Sequence, residues 1–256
     1  MRLFKELIRR PFRAIVWLAA FVLKTWLVGR IVGINRENVP RKGALVVAPN
    51  HFSSGEDPGL FLLLMPGITV MYKKDLEGTN LLSFLPGLLV RFFLRGADYI
   101  PTRRGQKELV GIARMHEELR KGRRILAMPE GTSRHTELIE ARRRGIAREA
   151  VLIDCPVLPV ALYGTAHALT DGILPWRKHK IIIVYGKPLQ FSRIGITAEN
   201  DPTGERATTE VMVRIAAMLS PEMRGFYASH TLEFLASDAP DVGFYRGIQP
   251  LVHRLR

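Results

Sequence analysis

Five short runs of apolar, mostly branched residues punctuate the sequence, at positions 44–48, 68–71, 125–128, 157–162 and 181–185. None carries a charge, and none has the length of an ordinary helix, so each suits a strand buried on both faces of a sheet. The residues between them follow a different period. Gln106 to Arg120 places apolar side chains at Leu109, Ile112, Ala113, Met115 and Leu119, and 139–150 and 208–219 are further helical candidates. Strands alternating with helices predict an α/β sandwich. At 256 residues the chain suits one sizeable domain better than two. Positions 197–204, with Pro, Gly and Asp, read as a surface loop, and 229–256, where periodicity is weak, as a C-terminal appendage.

Charge narrows the partners. With 38 Lys and Arg against 24 Asp and Glu, the formal net charge is +14, which favours a polyanion: nucleic acid, an anionic membrane surface or phosphorylated substrates. Cys155 is the sole cysteine, so no intrachain disulfide can form. Its apolar setting, Ile153-Asp154-Cys155-Pro156-Val157, favours a buried structural thiol over a nucleophile. Residues 1–35 read as a separate helical segment. The apolar run 14–23 has signal length, but Lys24-Thr25-Trp26-Leu27 follows it instead of a small-residue cleavage site. Lys24 and Arg30 interrupt any full span. On a helix, Arg13 and Lys24 fall on one face and Phe12, Ile15, Leu18, Val22 and Trp26 on the other, the pattern of an amphipathic helix lying in a membrane interface.

The first strand run empties into Pro49-Asn50-His51-Phe52-Ser53-Ser54-Gly55-Glu56-Asp57-Pro58. Neutral imidazole is the side chain best suited to accept a proton near pH 7, and a carboxylate on its other nitrogen fixes the tautomer and steadies the cation formed. Two acids five and six residues beyond His51 can serve. Further along, Lys73 closes the second strand run, where a lysine can meet an anionic substrate group. Arg103 and Arg104 stand just before a helix, and guanidinium groups grip phosphate through paired hydrogen bonds. Pro129-Glu130-Gly131-Thr132-Ser133-Arg134 leaves the third strand run; a glycine there lets backbone N–H groups approach an oxyanion or phosphate closely. Val157-Leu158-Pro159-Val160 is apolar and suited to shaping a site without reacting.

These stations, Asn50-His51 with a following acid, Gly96 to Arg103, Pro129-Glu130-Gly131-Thr132 and Val157-Leu158-Pro159-Val160, resemble the four ordered blocks of the glycerolipid acyltransferase family. They are most similar to its PlsC-like 1-acylglycerol-3-phosphate acyltransferase branch. The resemblance covers residues 39–227 and extends to Leu85-Pro86-Gly87 and Arg144-Gly145-Ile146-Ala147. It implies an α/β fold with a mixed sheet covered by helices over residues 36–228, a membrane-associated site, and acyl transfer from a thioester to a lysophospholipid.

The sequence departs from the family pattern in three places. Four residues usually separate the histidine from its aspartate. Here that register lands on Glu56, with Asp57 one residue later. Asp57-Pro58 matches the family dipeptide and Gly55 lets the loop absorb a residue, so Asp57 is the preferred partner and Glu56 the alternative. The spacing from Gly96 to Arg103 is one residue long, which keeps Arg104 beside Arg103 as a candidate. Ser133-Arg134 stands where the family often has Arg-Ser.

The resemblance implies His51 as general base, Asp57 or Glu56 as its partner, and Lys73, Arg103, Arg104, Glu130, Gly131, Thr132 and Arg134 as substrate-binding residues. Acyl-CoA or acyl carrier protein is the expected donor, with no other cofactor and no metal: the thioester is already activated, and His135, His167 and His179 lack ligand spacing. Nucleic acid is not expected as a partner, because no recognition motif accompanies the charge. The expected place of action is the cytosolic face of a bacterial inner membrane. Two alternatives accompany this reading: an acyltransferase for glycerol 3-phosphate or an amino-acid lysolipid, and a noncatalytic membrane-binding protein with a degenerate site.

Overall fold

A computed structural model of the chain describes residues 31–52, 60–61, 64–65, 67–73, 99–102, 106–132, 136–165 and 180–255. Of the helical segment expected over 1–35, residues 1–30 lie outside these residues, while Ile31–Ile34 are strand and not helix, because they pair with Ile181–Val184 in the sheet. Strand β1 is Ile31–Ile34, β2 Leu45–Pro49, β3 Thr69–Lys73, β4 Tyr99–Thr102, β5 Arg124–Leu126, β6 Val157–Tyr163 and β7 Ile181–Tyr185. The helices are α1 Gln106–Arg120, α2 Arg144–Ile153, α3 Glu205–Met218, α4 Ala228–Ala236 and α5 Val242–Leu255.

Among the described residues the strands form one sheet in the order β1-β7-β6-β2-β5-β3-β4. From β6 to β4 every neighbouring pair is parallel. β7 turns back antiparallel to β6, and β1 runs parallel to β7. The sheet is therefore mixed, with the carboxyl ends of β2, β3, β4, β5 and β6 along one edge.

Alternation of side chains explains the apolar strand runs. Val46, Ala48, Ile125, Ala127, Val157, Ala161, Ile182 and Val184 face a layer containing Met115 and Leu119 of α1, Ile146 and Ala150 of α2, and Met212 and Ile215 of α3. Leu45, Val47, Val70, Leu126, Leu158, Val160, Ile181 and Ile183 face the opposite layer with Phe61, Met65 and Ile68. Both faces are covered, so the central strands carry no polar alternation. Each fully buried Leu, Ile or Val side chain contributes roughly 1.5–3 kcal/mol.

Of the stretch 229–256, which reads as an appendage in sequence, the described residues fold onto the domain. Tyr245, Ile248 and Val252 of α5 are buried in the main core. Arg214 of α3 ties the junction together. Its Nε donates to Asp241 Oδ2 at 3.0 Å, its Nη1 donates to the Glu210 carboxylate, and its guanidinium lies 4.9 Å from the Phe234 ring centroid. Burial works against the charge, but Asp241 and Glu210 outweigh it and hold the guanidinium pKa above its ordinary value. Arg214→Met should lower unfolding free energy by roughly 2–3 kcal/mol, less than for a fully enclosed pair because the Glu210 side chain is 40% exposed. Urea unfolding followed by circular dichroism checks this. An unchanged midpoint would show that the helices hold without the arginine.

Candidate active site

His51 is placed by a backbone substitute. Pro49 ends β2, and Asn50 beyond it extends the pairing with β6 by its side chain. Asn50 Nδ2 donates to the Leu162 carbonyl at 3.2 Å, Oδ1 accepts from the Leu162 N–H at 2.7 Å, and the Asn50 N–H donates to Val160 at 3.4 Å. Asn50 is fully buried, so these bonds satisfy groups that water cannot reach. They hold the chain in register up to the residue before the histidine. The Asn50-His51 pair carried the motif in sequence, but no role for Asn50 was evident there; its visible signal is an amide side chain directly after a strand-ending proline.

Glu130 approaches from the end of β5. Its carboxylate is 0% exposed; Oε1 accepts the backbone N–H of His51 at 2.7 Å and Oε2 that of Ile139 at 3.4 Å. Thus the histidine and glutamate motifs, 79 residues apart, meet directly. A buried carboxylate is tolerated because it accepts oriented N–H groups, and the bond to His51 fixes the backbone from which the imidazole springs. Glu130, a residue expected to border the substrate, is tied by these contacts to the backbone of His51.

The turn that presents Glu130 has Pro129 at its second position and is closed by the Gly131 N–H donating to the Met128 carbonyl at 3.1 Å. Gly131 has φ +68°, and a Cβ there would lie 2.7 Å from both Cγ and Nε of Arg143. Only glycine combines that backbone conformation with so close an arginine. The Arg143 N–H donates to Pro129 at 3.0 Å, which brings the start of α2 against the same turn. Thr132 follows, half-buried.

The remaining expected residues divide by place. Lys73 is the last residue of β3, on the same carboxyl edge as His51 and Glu130. Pro159 and Val160 pair with Ala48 and Pro49, so the fourth motif seats the strand that carries His51. Asp57, Glu56, Arg103, Arg104 and Arg134 lie outside the described residues. Cys155 is buried, and burial pushes its thiol up to about 12, so it remains protonated and unreactive at neutral pH.

An imidazole at the carboxyl edge of the parallel part of a sheet, where open α/β folds bind ligands, suits several group transfers. A family model described as Acyltransferase matches residues 30–163, just over half of the chain. The chain belongs to the acyltransferase family. It is 25% identical over 142 residues to "Probable 1-acyl-sn-glycerol-3-phosphate acyltransferase" of Mycoplasma pneumoniae, covering 53% of this chain. The match spans half the length of that relative. The fold resembles the crystal structure of PlsC, the 1-acyl-sn-glycerophosphate (LPA) acyltransferase of Thermotoga maritima, with a TM-score of 0.54 and 21% identity. That likeness covers 81% of this chain and 82% of the other. The acyltransferase family model ends at Tyr163, the last residue of β6, and so includes the His51 and Glu130 motifs and the strand that aligns them.

Proposed function

We propose that this acyltransferase moves a fatty acyl group from acyl-CoA or acyl carrier protein to the free hydroxyl of 1-acylglycerol-3-phosphate, giving phosphatidic acid. The observation that carries the reading is the meeting of His51 and Glu130 at the carboxyl edge of the sheet, within a chain of this family. The names of the Mycoplasma relative and of the Thermotoga structure support the choice of acceptor.

In this mechanism, His51 accepts the hydroxyl proton as the oxygen attacks the thioester carbonyl. The C–O bond forms, the carbonyl electrons move onto oxygen, and the tetrahedral adduct collapses with loss of the thiolate. The imidazolium returns the proton to that sulfur. Asp57, or Glu56 in the alternative register, orients the ring and stabilises its cationic form. Arg103 grips the acceptor phosphate, with Arg104, Arg134 and Lys73 adding positive charge. Gly131 and Thr132 border the acceptor, while Glu130 holds the backbone of His51. No metal is needed, because the thioester supplies the activated carbonyl. The net charge of +14 concentrates anionic lipid and the donor phosphates near the protein, on the cytosolic face of a bacterial inner membrane.

Purified full-length protein given labelled acyl-CoA and a panel of lysolipids should label phosphatidic acid in preference to other products. Preference for glycerol 3-phosphate or an amino-acid lysolipid would reassign the acceptor, and transfer to none would remove the enzymatic reading. In the same assay Asp57→Asn should lower kcat by about a hundredfold or more, while Glu56→Gln stays within a few-fold of the parent. A loss confined to Glu56→Gln would transfer the role to that residue.

A further inference from the structure

Helix α1 shows an unexpected change of polarity along its outer face. Its inner face buries Gly111, Met115 and Leu119, and Ile112 packs toward Gly145 of α2. Leu109, assigned to the apolar stripe by its spacing, points elsewhere: it is 72% exposed, and its neighbour Val110 is 65% exposed. Ala113 is exposed as well. One and two turns later the exposed positions become charged, at Arg114, Glu117, Arg120 and Lys121. The apolar part of the outer face is therefore confined to the amino-terminal turns.

Topology decides which end of the molecule that is. β4 finishes at Thr102 and α1 begins at Gln106, so the first turns of α1 rise at the carboxyl edge of the sheet. The helix then descends to Gly122 and enters β5, whose exit carries Glu130. Leu109 and Val110 consequently stand at the same end of the sheet as His51 and Glu130, beside the edge strand β4. Two basic residues of the helix itself, Lys107 and Arg114, bracket the pair in sequence against the single acid Glu108. Two neighbouring exposed apolar side chains bracketed by positive charge match the interface of an anionic bilayer, where the apolar groups leave water and the cations meet lipid phosphates.

We propose that the amino-terminal turns of α1, through Leu109 and Val110, form a membrane-docking surface that sets the catalytic edge against an anionic lipid bilayer. This contact is made by a helix of the catalytic domain itself. It rests on the reading that the acceptor is a lipid, because a docking surface beside the site lets a lysolipid reach His51 without crossing water.

Two variants of the full chain test the inference. Leu109→Asp/Val110→Asp should lower transfer to lysophosphatidate held in phosphatidylcholine–phosphatidylglycerol vesicles by about tenfold or more, given the apolar surface removed from the lipid interface. Transfer from acyl-CoA to a short-chain, monodisperse lysophosphatidate should stay within about twofold of the parent. In parallel, an environment-sensitive dye is attached through Val110→Cys; the buried Cys155, with its raised thiol pKa, leaves the new thiol as the reactive one. The dye should shift to the blue when vesicles are added and be quenched by brominated lipid chains. No shift, whether or not the protein co-sediments with vesicles, would overturn the docking surface. So would an unchanged vesicle rate in the double-Asp variant, an equal loss with the monodisperse acceptor, or a loss seen only with acyl carrier protein as donor, which would assign the surface to the carrier. If the parent transfers no acyl group in any format, the proposed function fails, and the dye alone then upholds or overturns the docking surface.

Discussion

His51→Ala should reduce kcat for acyl transfer by about a thousandfold, within the range expected for loss of a general base, with little change in KM. In the proposed mechanism the lysolipid hydroxyl is a poor nucleophile until its proton has somewhere to go, and the imidazole supplies that place as the C–O bond forms. Alanine removes the ring and leaves the backbone N–H that donates to Glu130, so the turn and strand exit keep their link. The unfolding midpoint should therefore shift by no more than about 1 kcal/mol equivalent. A full rate of transfer in the purified variant would remove His51 from the mechanism.

Glu130→Ala should have the second largest effect, and it acts on both stability and rate. Alanine strips the acceptor from the N–H groups of His51 and Ile139. Each donor left unpaired in a buried setting costs about 1–3 kcal/mol, and the His51 backbone loses its anchor. A kcat loss of about a hundredfold is expected, since small displacements of a catalytic group are costly. Glu130→Gln separates the contributions. The amide keeps one acceptor but turns a donor toward one of the two N–H groups, so its stability and rate should fall between parent and alanine variant. Urea unfolding and steady-state kinetics on the three proteins check the order. Equal rates for the parent and Glu130→Gln would show that the carboxylate charge does not matter to the site.

The sequence made the central strands legible because burial on both faces leaves an uninterrupted branched apolar run, as in residues 181–185. It also placed His51 and Glu130 correctly at strand exits. What it could not show was their contact, since proximity across 79 residues depends on β5 pairing beside β2. The helix expected over 139–150 starts only at Arg144. The N–H groups of Ile139, Ala141 and Arg143 are taken by Glu130, Tyr227 and Pro129 instead of by helical carbonyls, and no local propensity reports partners so distant. α5 is not legible in the sequence because Gly243, Gly247 and Pro250 weaken its helical signal. Its buried Val242, Tyr245, Ile248 and Val252 nevertheless recur at helical spacing. Leu109 satisfied the period of α1 yet faces outward, because the period alone does not say where along a helix the packing stops.

The central claim is direct transfer between thioester and lysolipid hydroxyl, and the most direct test uses acyl-CoA labelled in its acyl chain. Purified protein is mixed with the donor, with and without 1-acylglycerol-3-phosphate, and both lipid and protein fractions are read for label. Direct transfer predicts labelled phosphatidic acid only when the acceptor is present, with no label bound to protein in its absence. Label accumulating on the protein before acceptor is added, or no labelled phosphatidic acid after it, would contradict the account.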